Sequence, residues 1–355
     1  MQHMKKYGFG FVGLGVMATV HMNSLRRFSD VAIVAGCDPH ADTASKFAEE
    51  AGLPAEKIYS DYEQLVHDPD VDVIICVTPN NTHAAIIRSC IEAGKPFMAE
   101  KPFTRTFDEA AELMALIEQK PVMNMIGFSY RYNPQFRYAQ ELIQSGKLGK
   151  IHHVFIQYLQ GWGAAPVKMP FIWRFDEPVT GTGTLGDLGS HMIDMARFLI
   201  GEFVEVSGRL ATFIHEREDT ATGQMRPVFV DDFASFNAVL GDEVSAVFQT
   251  SRNAIGSGNQ HEAHIYGDQG TIVVSSENEE TITYIHYDSE QDQPVREQLV
   301  VPKEGGVNQW DEFMKVLRGG SSSVITTVVD GYLNQQVMEA IVASSRDKKV
   351  ITLSQ

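Results

Sequence analysis

Six residues near the start of the chain, Gly13-Leu14-Gly15-Val16-Met17-Ala18, constrain its fold more than any others. They follow a short apolar run, Tyr7 to Val12, that reads as a buried strand. They open a segment whose Val16, Val20, Leu25 and Phe28 are spaced for one helix face. A second apolar run, Val31 to Cys37, reads as the next strand and ends at Asp38. Gly13 permits the tight turn from strand to helix, Gly15 lets a pyrophosphate approach the backbone, and Ala18 lets the helix pack closely on the strand. The helix start offers amide N–H groups and a positive dipole end, so Leu14, Val16 and Met17 join the glycines as candidate cofactor contacts. Asp38 lies 20 residues after Ala18, where a carboxylate can bond both ribose hydroxyls and repel a 2′-phosphate. Pro39, His40 and Ala41 bring no arginine to hold that phosphate, so NAD is expected rather than NADP. The bland alternative is a glycine-rich turn without a ligand, and the flanking strands, helix and acid argue against it.

The alternation continues. Ser60-Asp61-Tyr62-Glu63 reads as a capping box opening a short helix. Val71 to Val77 is a continuous apolar run, as a parallel strand buried on both faces requires. It leads into Thr78-Pro79-Asn80-Asn81-Thr82-His83, then a helix from Thr82 to Ala93 that stops at Gly94. Pro96 to Ala99 is a short strand ending in Glu100-Lys101-Pro102. Thr106 to Glu109 is another capping box, opening a helix to Gln119, and Val122 to Phe128 is a further strand. Such alternation means a doubly wound parallel sheet, in which ligands bind at the carboxyl ends of the strands. Gly13, Asp38, Thr78, Lys101 and Phe128 all fall at or beside strand ends and are expected to share one crevice.

A chain of 355 residues exceeds what one core usually holds, so two domains are expected. The net charge of −17 and the lack of a Lys/Arg-rich run set low expectations for nucleic acid and for anionic membranes. Lys5 and Lys6 precede an apolar stretch, Tyr7 to Ala18, as in a signal peptide. Gly8, Gly10, Gly13 and Gly15 break that stretch and no convincing cleavage site follows. No apolar run is long enough to predict a membrane span. Cys37, Cys76 and Cys90 form no C-x-x-C pattern. Cys37 and Cys76 sit in apolar runs as small hydrophobes, and this usage suits a reducing cytoplasm.

These residues resemble one family across nearly the whole chain: the glucose–fructose oxidoreductase, inositol dehydrogenase and rhizopine-catabolism oxidoreductases (Gfo/Idh/MocA). The resemblance rests on the glycine turn, Thr78-Pro79-Asn80 with His83, Ala93-Gly94-Lys95-Pro96, Glu100-Lys101-Pro102 and Arg131-Tyr132-Asn133-Pro134. It continues in Ser145 to Gly149, Trp173-Arg174-Phe175-Asp176 and Gly183 to His191. It implies an α/β fold: an N-terminal Rossmann doubly wound parallel sheet (residues 1–127) plus a C-terminal α+β domain with an open, mostly antiparallel sheet (residues 128–355). The sequence agrees with a helix at Pro134 to Gln144 and strands at Asp232 to Leu240 and Glu243 to Thr250 joined at Gly241-Asp242. Ala263 to Tyr266 and Thr271 to Val274 flank another turn, and the helical stretch Asp330 to Ser344 is expected to close the core. An exposed sheet face invites a second subunit, so a homodimer or homotetramer is expected.

By this resemblance NAD contacts Thr78, Pro79, Asn80, His83 and Glu100 besides the glycine turn and Asp38. Lys101, read alone, is either a solvated lysine or a cation placed to steady an alkoxide. The resemblance implies the second, with Lys101 touching both the cofactor and the reacting hydroxyl. Asp187 and His191 stand four residues apart on an expected helix, with Asp187 in its first turn. The residues alone leave three readings: a helix-start charge beside a core histidine, two members of a zinc site, or a base and its neighbour facing a substrate. No third metal ligand is evident, and none is expected. The resemblance implies that His191 removes a hydroxyl proton and that Asp187 binds a substrate hydroxyl. Asp194 either holds the His191 ring or is a helix-surface carboxylate. Trp173 and Arg174 are expected near the nicotinamide, and Arg131 and Tyr132 beside the substrate. His152 and His153 read as plain surface. The family often has three consecutive glycines before the aspartate helix, where this chain has Gly181-Thr182-Gly183-Thr184.

The resulting expectation is an NAD-dependent dehydrogenase that oxidises a hydroxyl of a sugar, inositol or related polyol, or reduces the keto form. The alternatives are a glycosidase that oxidises and re-reduces its sugar around an elimination, and a non-catalytic NAD- or sugar-sensing regulator.

Overall fold

The computed structural model describes residues 6–303 and 308–353. Lys5 and the outer ends of the two expected domains lie outside the described residues. The elements run β1 (Tyr7–Val12), α1 (Val16–Leu25), β2 (Val31–Cys37), α2 (Ala41–Ala51), β3 (Ile58–Tyr59), α3 (Tyr62–Val66), β4 (Val73–Cys76), α4 (Asn80–Ala93), β5 (Phe97–Ala99), α5 (Phe107–Gln119) and β6 (Asn124–Ile126). Then come α6 (Pro134–Gln144), β7 (Ile151–Leu159), α7 (Glu177–Thr180), α8 (Ser190–Leu199), β8 (Phe203–Ala211), β9 (Glu216–Asp219), β10 (Gln224–Pro227), β11 (Phe233–Leu240) and β12 (Val244–Ser251). The chain ends with β13 (Gln260–Gly267), β14 (Thr271–Ser275), β15 (Asn278–Asp288), β16 (Gln293–Val300), α9 (Gln309–Leu317), α10 (Val328–Asp347) and β17 (Ile351–Thr352). They group into two compact units. One holds the residues up to Gly127 together with Trp310–Tyr332, and the other holds Phe128–Gln309 and Leu333 onward.

The first unit is a six-stranded sheet in the order β3-β2-β1-β4-β5-β6, parallel at every pair. The strands are nearly all apolar because helices cover both faces. The chain moves outward from β1 to β3, then returns to β4 on the other side of β1, which opens a crevice at the carboxyl ends. Phe9, Phe11, Val73, Ile75 and Met98 form the core with Ala18, Met22 and Leu25 of α1 and Phe47 of α2. Trp310, Phe313 and Met314 of α9 join the same core, so a segment far along the chain completes this unit.

Sequence and structure differ at several boundaries. The buried face of α1 is Ala18, His21, Met22 and Leu25, while Val16 and Val20 are exposed. The helix phase that packs Ala18 on the strand turns those two valines outward. The cap of α3 is Asp61 and not Ser60, because the Asp61 carboxylate directly precedes the first helical residue and accepts from the Glu63 N–H at 3.0 Å. Helix α4 begins at Asn80, two residues before the expected start, and ends at the left-handed Gly94. The capping box at Thr106 is formed with both of its bonds. The strand expected over Val122 to Phe128 is ordered as β6 only from Asn124 to Ile126.

The second unit is a nine-stranded sheet, β16-β15-β14-β13-β7-β12-β11-β8-β17, with β9 and β10 forming a separate ribbon. Among the described pairs only β7 and β12 are parallel, and the rest are antiparallel. The expected hairpin pairs β11 with β12 in a register that places Phe233 opposite Ser251. Side chains alternate along β11 and β12, so Ala234, Phe236, Ala238 and Leu240 face inward with Val244, Ala246 and Phe248. This inner face packs against Phe136 of α6, Met192 and Met195 of α8, and Val337 and Ile341 of α10. Helix α10 therefore closes the core as its periodicity predicts.

Candidate active site

In the first unit the glycine turn has the shape its spacing requires. Gly13 adopts φ +83°, and an added Cβ would lie 2.7 Å from the Val77 carbonyl oxygen. The Leu14 N–H donates to Asp38 Oδ2 at 2.9 Å, and the His40 N–H donates to Asp38 Oδ1 at 2.9 Å. One carboxylate thus braces the turn and the end of β2 together. No side chain caps α1, and a Cβ on Gly15 would meet no atom within 4 Å. Open space beside backbone amides at a helix start is what a pyrophosphate needs, so these residues fit a dinucleotide.

The loops after β4 and β5 are tied by His83. Its ring is fully buried, with Nδ1 2.9 Å from the Pro102 carbonyl oxygen and Nε2 2.9 Å from that of Thr78. Burial holds the imidazole below its usual range against the pull of those carbonyls. The ring fastens the Thr78 loop to the turn carrying Lys101. Thr82 Oγ1 donates to Thr78 Oγ1 at 2.7 Å, fixing the same loop with Pro79 and the buried Asn80.

Glu100 also faces protein. Its Oε1 lies 2.8 Å from Nε2 of the buried His21, and its Oε2 accepts from the Lys101 N–H at 3.2 Å. Burial works to raise the Glu100 carboxyl, but the His21 bond and the Lys101 charge outweigh it and leave it below the usual carboxylate range. Lys101 is half-buried at the carboxyl end of β5. His21 is missing from the sequence-based candidates because only the fold brings it beneath β5.

In the second unit Asp187 sits in a single π turn, Leu185–Gly189, that runs into α8. This corrects the expectation of an aspartate in the first turn of an α-helix, and such turns recur at functional sites. The turn is hung from Asp231, whose Oδ1 accepts from Gly183 N–H at 2.7 Å and Oδ2 from Leu185 N–H at 2.8 Å. Burial pushes the Asp231 carboxyl up despite those two bonds. A Cβ on Gly183 would lie 1.8 Å from the Asp231 carbonyl oxygen, so this position of the loop requires glycine.

Arg252, which follows β12, reaches across to Asp187. Its Nη2 donates to Asp187 Oδ2 at 3.0 Å and to the Gly183 carbonyl at 2.9 Å. Its Nη1 donates to the Arg174 carbonyl at 3.3 Å. The Arg174 guanidinium stacks on Trp173 at 4.4 Å, with Nε 3.9 Å from Asp187 Oδ2. The structure thus brings Trp173, Arg174 and Asp187 together around a buried arginine that the sequence reading did not single out.

His191 is buried edge-on to Tyr130 at 4.9 Å, with Phe128 and Tyr158 further out at 6.3 and 6.0 Å. Behind it three side chains close a ring of hydrogen bonds. The Tyr130 and Tyr158 hydroxyls are 2.8 Å apart, Tyr158 donates to Asn259 Oδ1 at 2.6 Å, and Asn259 Nδ2 donates to the Tyr130 hydroxyl at 2.7 Å. Asp194 is not on the helix surface. It is buried and accepts from Nε of the buried Arg131 at 2.8 Å, while Tyr132 is buried in the adjacent turn. His152 and His153 are exposed at the start of β7, where His153 stacks on Tyr266 at 4.4 Å. Among the described residues no group of three His, Cys, Asp or Glu side chains is placed to hold a metal ion.

Comparison with known proteins accords with this geometry. Residues 7–128 match the model of an oxidoreductase family with an NAD-binding Rossmann fold, and residues 136–273 match the GFO/IDH/MocA C-terminal domain. A levoglucosan dehydrogenase of Pseudarthrobacter phenanthrenivorans is 31% identical, over 91% of this chain and 89% of its own length. The chain belongs to the Gfo/Idh/MocA family. A myo-inositol 2-dehydrogenase of Thermotoga maritima, another relative, is 27% identical over 77% of this chain and 76% of its own. A solved levoglucosan dehydrogenase in complex with NADH superposes with a TM-score of 0.90 at 28% identity, covering 99% of this chain and all of that one. This Gfo/Idh/MocA protein is an oxidoreductase with an NAD-binding Rossmann domain. No helix among its described residues is long and apolar enough to cross a membrane.

Proposed function

We propose that this protein oxidises a hydroxyl of a sugar, inositol or related polyol with NAD, or runs the reverse reduction of the keto form. The observation that carries the reading is the Asp187–His191 segment, which sets a carboxylate bonded to Arg252 four residues from a histidine. The relatives' names, levoglucosan and myo-inositol 2-dehydrogenase, support the substrate class. Bound NAD supplies the acceptor for the hydride leaving the carbinol carbon. His191 takes the hydroxyl proton, Lys101 steadies the developing alkoxide, and Asp187 accepts a hydrogen bond from a substrate hydroxyl. Gly13, Leu14, Gly15, Val16, Met17 and Asp38 hold the dinucleotide, with Thr78, Pro79 and Asn80 beside it. His83 and Glu100 hold the loops that present it and Lys101. Trp173, Arg174, Arg131 and Tyr132 shape the substrate's surroundings. With NAD bound to take up the hydride, His191 would take the hydroxyl proton and release it to solvent, so that the hydroxyl becomes a carbonyl.

We place the protein in the cytoplasm, a reading supported by three buried free cysteines. We further propose a homodimer or homotetramer formed through the outer sheet face, where Val247 is exposed on β12.

The test is NADH formation by the purified protein across inositols, aldoses, keto-sugars and glycosides, with NADP and Lys101→Ala as controls. NADH from one substrate class is expected. The Lys101→Ala variant is expected to lose about 10²–10⁴-fold in turnover while still binding NAD. Unchanged turnover in that variant would remove Lys101 from the chemistry. Aglycone release from a glycoside without net NADH would favour a redox glycosidase, and NAD binding without either activity a sensor.

A further inference from the structure

Arg252 holds three parts of the second unit at once: the Asp187 carboxylate, the Gly183 carbonyl before the π turn, and the Arg174 carbonyl. Only 2% of its side chain is exposed, so its charge has little water to answer it. Asp187 is the carboxylate that answers it, at 3.0 Å. The ring faces of Trp162 at 5.2 Å and Phe175 at 6.0 Å wall the guanidinium on its other sides. A carboxylate in that position is held in one orientation by the guanidinium. It remains a good acceptor for a hydrogen bond. The His191 ring lies against the aromatic faces of Tyr130, Tyr158 and Phe128.

We propose that Arg252 is a positioning residue that fixes Asp187 as a hydrogen-bond acceptor for a substrate hydroxyl. The assignment rests on the dehydrogenase reading above. It gives the proposed binding role of Asp187 a physical cause outside its own helical segment. It also names the source of Asp187's orientation as a strand end some 65 residues further along the chain.

The test compares Arg252→Met, Arg252→Lys, Asp187→Asn, the Arg252→Met/Asp187→Asn double variant and His191→Asn in the full-length enzyme, with the best substrate from the panel. Arg252→Met and Asp187→Asn are each expected to raise KM for the sugar about 10–100-fold, with a smaller fall in kcat. KM for NAD should not move. His191→Asn is expected to lose mainly kcat, by about 10²–10⁴-fold. Arg252→Lys should recover part of the loss, since an ammonium keeps the charge without the fork. KM for the sugar in the double variant should be close to that of Asp187→Asn alone, because both changes remove the same Arg252–Asp187 bond. Thermal unfolding of each variant separates these effects from a loss of folding, and Arg252→Lys carries the comparison if Arg252→Met does not fold. Wild-type KM in Arg252→Met, or losses that add in the double variant, would overturn the proposal while leaving the dehydrogenase reading intact. A kcat loss in Asp187→Asn as large as in His191→Asn would also overturn it. A wild-type enzyme that forms no NADH with any substrate class would instead refute the underlying reading, and the proposal with it.

Discussion

His21 Nε2 lies 2.8 Å from Glu100 Oε1, directly behind the turn that carries Lys101. His21 is buried, only 15% of the Glu100 side chain is exposed, and the other Glu100 oxygen holds the Lys101 N–H. Replacing His21 with Leu leaves that carboxylate without its main partner. A loss of about 3 kcal/mol is expected in urea unfolding at neutral pH. The pH dependence carries a sign. The Glu100 carboxyl sits lower in the folded chain than its ordinary 4.5. Its stabilising contribution is therefore present above 4.5 and fades as the pH falls through the lower folded value. In His21→Leu that acid-side loss should shrink. An unchanged unfolding midpoint would mean that the pair contributes nothing net.

Gly183 and Asp231 make the second expected outcome. The 1.8 Å approach of an added Cβ to a backbone oxygen leaves no room for a rotamer to adjust. Gly183→Ala should cost about 3 kcal/mol or more, and it should displace the π turn that carries Asp187. NADH binding by the first unit should survive, while sugar oxidation is lost. Wild-type activity in Gly183→Ala would mean that the loop can move away from Asp231 without consequence.

That glycine also marks the boundary of what the sequence makes legible. The dinucleotide half is readable because its signals are local: Gly13, Gly15, Ala18 and Asp38 act within one strand–helix–strand unit. The loop before Asp187 is readable as a bend, but its partner Asp231 lies 48 residues away. Arg252 is invisible until the β11–β12 register is counted from the Gly241 turn. That count sets Phe233 opposite Ser251 and so brings Asp232 beside Arg252, whose N–H donates to the Asp232 carbonyl at 3.1 Å. The return of Trp310 and Phe313 to the first core leaves no local trace either, because α9 reads as any amphipathic helix. Val16 and Val20 mislead for the opposite reason. Their spacing is helical, but apolar periodicity does not say which face the strand will take.

His261 offers a test in which the usual cost of a substitution is reversed. It is fully buried, stacked on Tyr158 at 5.0 Å, and neither ring nitrogen has a hydrogen-bond partner among the described residues. An orphaned buried polar group costs about 1–3 kcal/mol, so His261→Phe should stabilise the protein by about 1 kcal/mol once the larger ring is accommodated. Burial pushes the imidazole from 6.5 down to about 3. Between those values the unfolded chain binds a proton that the folded chain refuses. Stability therefore falls as the pH drops below 6.5, by roughly 2 kcal/mol at pH 5 from this residue. His261→Phe should lack that component in paired urea titrations at pH 7.5 and pH 5. Equal pH slopes in the two proteins would show that His261 is not the group responsible.

In the proposed NAD site Asp38 is expected to set cofactor choice through two separable effects. Both of its oxygens already accept backbone N–H groups, from Leu14 and from His40, so the carboxylate shapes the glycine turn besides its proposed part in holding the ribose. Asp38→Ala removes both effects and should weaken NADH binding about 10–100-fold, while the repulsion against a 2′-phosphate disappears. Asp38→Asn keeps the size but offers one acceptor oxygen where the turn uses two, so its amide must face one N–H with another. It should therefore fall between wild type and Asp38→Ala for NADH. Adding His40→Arg to Asp38→Ala supplies the missing partner for the phosphate and should invert the preference toward NADPH. Fluorescence titration of both nucleotides with the four proteins reads these outcomes directly. NADH affinity unchanged in Asp38→Ala would mean that Asp38 serves the turn alone and that the ribose is held elsewhere.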